Sequence, residues 1–314
     1  MKSLGCPTPS VDGQLESGAT PLFLDLPQAE ASRSAFHLLS VPLEATVSYG
    51  SGTSRGPRAI LEASTQVELY DREFDCEPAL DYGIHSYPEM LLPADHKTAL
   101  EDISKRVESL YDPAAVLAVL GGEHSLSYAV VRGLLAKLEG PITVVQLDAH
   151  SDLRDSYEDS PHSHACVARR LLELESIEQI LQLGVRSLCT EEARVIKSDP
   201  RVRTWFAEDV HAEKFEDELR QRVRGRRIYL TVDVDGFDPS IIPSTGTPEP
   251  NGLSFAQGEA IFRILAEECD LVAFDCVELA PVAGRHVSDF VVAKLIYRLM
   301  NLFAKVTKNK GENA

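Results

Sequence analysis

Basic residues are scarce in this sequence, where 31 Lys and Arg stand against 49 Asp and Glu for a formal net charge of −18. Nucleic-acid binding draws its affinity from clustered Lys and Arg, so no such partner is expected. The acid excess serves solubility, and it also suits a cationic small molecule. No run of about 18 or more uncharged apolar residues occurs, the length a membrane helix needs. The N-terminal MKSLGCPTPS lacks the apolar core of a secretory signal. No membrane partner is expected, and the expected compartment is the cytoplasm. CxxC spacing is missing too. Cys6, Cys76, Cys166, Cys189, Cys269 and Cys276 are scattered, which suits reduced thiols better than disulfides or a zinc knuckle.

What is present is an ordinary globular composition, 44% hydrophobic and 25% charged, in a chain of 314 residues. That length allows two average domains or one large α/β domain. Five continuous apolar runs, AVLAVL at 115–120, ITVVQL at 142–147, ILQLGV at 180–185, RIYLTVDV at 227–234 and DLVAFDCVEL at 270–279, read as strands buried on both faces. Between and after them, segments such as 125–138, 253–268 and 288–300 carry apolar residues at helical spacing. The pattern predicts a three-layer α/β/α domain with a mostly parallel sheet. No linker divides it and no repeat is visible. Residues 1–33 read as an irregular leader on the surface, 34–307 as a single catalytic domain and 308–314 as a frayed tail.

Residues able to bind metal cluster where these strands end, which is where open α/β sheets place ligands. Asp148, His150 and Asp152 leave the run ITVVQL at alternate positions, so a strand end can turn all three to one side. Asp233 and Asp235 end RIYLTVDV in the same way, and two carboxylates on one face repel unless a cation lies between them. Asp238, beside Pro239, reads as a turn residue outside the site. In GGEHS, Gly121 and Gly122 permit close backbone approach and His124 opens a helix. Two His and four Asp make a mixed imidazole and carboxylate shell that suits Mn²⁺. Six ligands with four negative charges suit two divalent ions, held about 3.5–4 Å apart if carboxylates bridge them.

The ordered set GGEHS, DAHSD, SHACV, DVDGFDP, GTPEPNGL and VELAP resembles the ureohydrolase family of arginases, agmatinases and formiminoglutamases. The resemblance extends from VPLEATVSYGSGTSRGPRAI at 41–60 to the helix near the C-terminus. It implies an arginase-like fold, one manganese on His124, Asp148, Asp152 and Asp233, and a second on His150, Asp148, Asp233 and Asp235, with Asp148 and Asp233 bridging. Proton transfer to the departing amine would fall to His164 of SHACV, with His162 as the competing choice. Glu278 of VELAP would bind the guanidinium, and Thr247 of GTPEP would line the same pocket. A homo-oligomer, trimer or hexamer, is implied as well. One departure is Glu123, where many members carry Asp; since that residue is not a ligand, the change should leave metal binding intact.

The implied reaction is hydrolysis of a guanidino group to urea and an amine. After DAHSD this chain continues Leu153, Arg154, Asp155, Ser156, Tyr157, which looks more like agmatinases than arginases. Agmatine is the expected substrate. N1-aminopropylagmatine, arginine and guanidinobutyrate remain alternatives with the same chemistry. Arg154 either pairs with Asp155 or receives a substrate carboxylate. Glu44 and Tyr49 either wall the distal amine or are ordinary loop residues. A homologue that binds metal without turnover would lack a ligand Asp, the SHACV His or the VELAP Glu, and none is missing. Deacetylases of this general fold use one zinc and a Tyr, and His124 with Asp235 argues against that class.

Overall fold

The computed structural model describes residues 20–312, with side chains described to residue 304. Eight strands form one sheet: β1 (Phe36–Val41), β2 (Ile84–Ser86), β3 (Val116–Gly121), β4 (Ile142–Leu147), β5 (Ile177–Val185), β6 (Val202–Phe206), β7 (Arg227–Asp233) and β8 (Asp270–Val277). Their order is β2-β1-β3-β8-β7-β4-β5-β6 and every pairing is parallel. The sheet is therefore wholly parallel where a mostly parallel one was expected.

All five expected runs are strands. Beyond them lie β1, β2 and β6. The three residues of β2 are too few to show a pattern, and β6, at an edge of the sheet, is only partly buried, with Arg203 and Phe206 half-buried.

Parallel strands need crossovers, which here are mostly helical: α1 (Gly56–Ser64), α2 (Pro78–Tyr82), α3 (His96–Leu110), α4 (Leu126–Leu135), α5 (Val167–Leu172), α6 (Thr190–Ser198), α7 (Ala207–His211), α8 (Glu216–Val223), α9 (Phe255–Glu268) and α10 (Val287–Glu312). Successive strand residues face opposite layers, so the core divides in two. Leu38, Ala118 and Leu120 pack with Ile60 of α1, Phe262 of α9 and Ile296 of α10. Leu39, Leu117 and Val119 pack with Ile103 of α3, Val130 of α4 and Leu171 of α5. This is the three-layer arrangement that continuous apolar strands require.

Two boundaries differ from expectation. The leader is not wholly superficial. Phe23 and Leu24, only 1% and 5% exposed, enter the first core, and the Leu24 N–H donates to Ser64 Oγ at 2.8 Å. The apolar stretch PLFL is too short to show a period, so its burial depends on the hollow that α1 offers. At the other end α10 continues through Glu312, where a frayed tail from 308 was expected. The rest of the leader, 1–19, and the last two residues lie outside the described residues.

A candidate metal centre at the ends of the four central strands

β3, β8, β7 and β4 are neighbours, and each delivers a functional residue at or just past its carboxyl end: His124, Glu278, Asp233 and Asp148. Gly122 makes the first of these turns possible, because a Cβ there would sit 1.9 Å from the Leu43 carbonyl oxygen. That contact brings the loop after β1 against the site, where the Glu123 N–H donates to Leu43 O at 2.8 Å. Asp152 and Glu278 adopt left-handed backbone, φ 52° and 64°. Such non-glycine conformations cost on the order of 1–3 kcal/mol and persist where surrounding contacts hold them.

The six expected ligand residues converge. His124 Nδ1 lies 3.2 Å from Asp148 Oδ2, 3.1 Å from Asp152 Oδ2 and 3.2 Å from Asp233 Oδ2. His150 Nδ1 lies 3.0 Å from Asp235 Oδ2 and 3.6 Å from Asp148 Oδ1. Ligand atoms of His124, Asp148 and Asp152 fall within 4.8 Å of one another, as do those of Asp148, His150 and Asp235. Asp148 thus offers one oxygen to each group. Asp233 offers Oδ2 to the first, while its Oδ1 accepts the Asp235 N–H at 2.9 Å.

The donor set fits metal cations. His124 Nδ1 is buried and has no well-formed hydrogen bond among the described residues, yet three carboxylate oxygens surround it. Its other nitrogen is fixed. Asp275, fully buried, accepts from Thr231 Oγ1 at 2.6 Å, so the Thr231 oxygen faces His124 Nε2 at 2.8 Å as an acceptor. The proton therefore sits on Nε2, leaving the Nδ1 lone pair aimed into the carboxylates, as metal-binding histidines require.

Electrostatics point the same way. Burial pushes Asp152 up to about 7 with help from the Asp148 charge, and it raises Asp233 well above the usual carboxylate range with help from Asp235 and Asp148. Burial disfavours charged imidazoles here, but the carboxylates outweigh it, raising His124 well above the histidine range and His150 to about 12. This pocket stabilises added positive charge.

A cavity of about 240 Å³ opens above the cluster. His164, Glu278, Tyr49, Arg154 and Thr247 line it, and Glu192 joins them. His164 begins the helical turn behind Ser163, and burial lowers it below the usual histidine range. Glu278 is 8% exposed, and its Oε1 accepts the His124 N–H at 2.7 Å. Burial pushes it up to about 8. Thr247 Oγ1 lies 3.5 Å from Asp235 Oδ2. Tyr49 stands at the rim, 86% exposed.

Three open alternatives are narrowed. Glu44 is no wall: its carboxylate accepts Gly52 N–H at 2.7 Å, Ser54 N–H at 3.0 Å and Ser54 Oγ at 2.6 Å, which ties the 44–54 loop together. Arg154 does not pair with Asp155, whose Oδ1 accepts from Arg170 at 2.7 Å; Arg154 lies 3.8 Å from Glu192 Oε2 and over the Tyr157 ring at 5.0 Å. His162 lies outside the cavity lining, against Tyr128 with ring centroids 5.6 Å apart. Asp238 is the turn residue expected, accepting from Ser240 and Gly252 N–H at 2.9 Å each. A larger hollow of about 1010 Å³, beside Tyr82, Tyr111 and Arg227 near the amino ends of the strands, holds none of the six candidate ligands.

Sequence reasoning did not find Thr231, Glu192, Asp275 or Arg186. Asp275 alone left a signal, a single acid within VAFDCV. Arg186 braces the end of β7 by donating to Asp235 O at 2.7 Å and Glu249 O at 2.9 Å.

With this geometry in place, comparison with known proteins is decisive: the arginase family profile matches residues 34–301. The chain belongs to the arginase family. An N(1)-aminopropylagmatine ureohydrolase of Synechocystis is 37% identical over 278 residues, 87% of this chain and 90% of that protein. An agmatinase of Pyrococcus horikoshii is 31% identical, covering 90% of this chain and 96% of its own. The crystal structure of the agmatine ureohydrolase of Thermoplasma volcanium superposes with a TM-score of 0.80 at 27% identity, over 93% and 97% of the two chains. This arginase-family chain is accordingly a hydrolase with a binuclear-type site of His and Asp. No described helix is long and apolar enough to cross a membrane.

Proposed function

We propose that this chain hydrolyses the guanidino group of agmatine to urea and putrescine, using two manganese ions. His124, Asp148, Asp152 and Asp233 would hold one ion, and His150, Asp148, Asp233 and Asp235 the other. The mixed imidazole and carboxylate shell supports manganese. When bound, two such cations lower the pKa of a shared water toward neutrality, which supplies the nucleophile a guanidinium carbon needs.

The remaining steps belong to the chain's own residues. Glu278 fixes the planar guanidinium, since a carboxylate accepts paired N–H bonds from it. A cation entering the cavity favours the ionised form of this buried carboxyl. His164, held neutral by a pKa below the usual histidine range, takes up the proton released by the attacking water and passes it to the departing amine.

The observation that carries the substrate reading is the state of Arg154. It is the one arginine or lysine lining the cavity among the described residues, and Glu192 and Tyr157 engage it. A substrate carboxylate would find acidic walls without a free partner, a costly desolvation. A second reading, N1-aminopropylagmatine, is favoured by the name of the Synechocystis relative. We also propose a homo-oligomer, trimer or hexamer, in the cytoplasm.

The test is urea release from agmatine, N1-aminopropylagmatine, arginine and 4-guanidinobutyrate with Mn²⁺ supplied. Agmatine or its aminopropyl derivative is expected to exceed the two carboxylates in kcat/KM. Arginine as the best substrate overturns the reading and assigns Arg154 the carboxylate.

A further inference from the structure

The loop after β1 reaches the site through one residue. Glu123, fully buried, accepts hydrogen bonds from the Ala45 N–H, from the Thr46 N–H at 2.5 Å, from Thr46 Oγ1 at 2.8 Å and from Ser125 Oγ at 2.5 Å. Thr46 in turn touches His164 twice. Its Oγ1 accepts the His164 backbone N–H at 3.0 Å and lies 3.3 Å from the ring Nδ1.

We propose that Thr46, oriented by Glu123, sets the tautomer of His164, placing the ring proton on Nδ1 and leaving Nε2 as the nitrogen that exchanges protons with substrate. The inference rests on the reading of His164 as the proton-transfer group. A hydroxyl has one proton to donate and two lone pairs. Glu123 is surrounded by donors, so its carboxylate can only accept, and the Thr46 proton points to it. The Thr46 oxygen therefore presents lone pairs to His164. An unprotonated Nδ1 at 3.3 Å would set lone pair against lone pair, whereas a protonated Nδ1 donates. The direction of one hydroxyl, 118 residues away in sequence, thereby selects which imidazole nitrogen carries the proton.

Ser163 opposes this arrangement. Its Oγ lies 3.4 Å from His164 Nδ1 and could donate there, which would favour the opposite tautomer. Thr46 prevails because its own proton is committed to Glu123, whereas no acceptor among the described residues fixes the Ser163 proton, so that hydroxyl can turn to accept instead. The Tyr157 ring stands edge-on to His164 with centroids 6.0 Å apart. Thr46 and Glu123 are positioning residues, since neither transfers a proton to substrate.

The test uses the full chain loaded with diamagnetic Zn²⁺ in place of Mn²⁺ for the spectra and with ¹⁵N-labelled histidine rings, His164 being assigned by its loss in His164→Ala; turnover is measured with Mn²⁺. In the wild type the long-range ¹H–¹⁵N pattern is expected to show Nδ1 protonated. Thr46→Val, close in shape, should move the proton to Nε2 and lower kcat by about 10²-fold, at the lower end of the roughly 10²–10⁴-fold worth of general acid–base help. Metal content should stay unchanged and KM shift by no more than about twofold. Thr46→Ser should restore both tautomer and turnover, and Ser163→Ala should keep the wild-type tautomer. Should Thr46→Val fail to fold, Glu123→Gln gives an independent check. Its amide can donate to Thr46, which turns the hydroxyl proton toward His164 and moves the ring proton to Nε2. A wild-type Nε2–H tautomer, or a Thr46→Val enzyme with unchanged tautomer and kcat, overturns the proposal. If His164→Ala keeps full turnover while the wild type shows Nδ1–H, the functional reading of His164 fails and the hydrogen-bond inference does not.

Discussion

Asp148 and His150 are joined twice: Asp148 Oδ1 accepts the His150 backbone N–H at 2.6 Å and also lies 3.6 Å from His150 Nδ1. The other Asp148 oxygen accepts from Gln146 Nε2 at 2.8 Å and faces His124. One carboxylate therefore serves both halves of the site. Asp148→Asn should lower metal content from two ions per chain to near zero, whereas Asp152→Asn or Asp235→Asn should lose one. Elemental analysis of the purified variants decides; two ions retained by Asp148→Asn would remove it from the centre.

His164 and His162 separate cleanly in the structure. His164→Ala should reduce kcat by roughly 10²–10⁴-fold, the worth of general acid or base help, with metal content intact. His162→Ala, packed on Tyr128 away from the cavity, should leave kcat much closer to wild type. Steady-state urea assays give the ranking, and the reverse order would transfer the role to His162.

Thr231 links His124 to Asp275. Thr231→Val removes the acceptor for His124 Nε2–H and leaves a buried carboxylate short of a donor. Loss of such an outer partner typically weakens metal affinity about 10–100-fold. Competition with a chelator measures the change, and an unaltered affinity would show that Thr231 does not orient the imidazole.

Stability of the metal-free protein should fall as pH rises. Asp152 at about 7 and Glu278 at about 8 are raised by burial, above unfolded values near about 4. His150, raised to about 12, acts in the same sense above about pH 6.5. Across this window the folded chain holds protons the unfolded chain has released, and these outnumber the opposite contribution of His164, whose lowered pKa favours the fold as pH rises toward about 6.5, so each pH unit lowers stability. Asp148, held low by His124 and His150, changes stability in the opposite sense only at more acid pH. Bound cations replace those protons and remove the slope. Melting curves of chelator-treated protein should move down between about pH 5 and 8, and those with Mn²⁺ should not; a rising metal-free curve contradicts the assignment.

The ligand set was legible because its signal is local. Asp148, His150 and Asp152 alternate out of an apolar strand, as do Asp233 and Asp235, and strand geometry then dictates their shared side. The same apolar runs announced a sheet buried on both faces. β2 carried no such signal, being three residues long, and β6 lies at an edge.

Other features depend on contacts made far apart in the chain. Local propensity favours an Arg154–Asp155 pair, but Glu192 on α6 and the Tyr157 ring take Arg154 instead. Glu44 resembles a binding residue until its own loop folds back and saturates the carboxylate. Phe23 and Leu24 resemble leader residues until α1 offers them a hollow. Sequence by itself determined which His and Asp residues could bind metal and that the central strands are buried on both faces, because both follow from spacing along one element. Tertiary structure alone decided how those residues are oriented and where their protons sit, because Thr231, Asp275, Thr46 and Glu123 reach the histidines across other strands and loops, at separations no local pattern encodes.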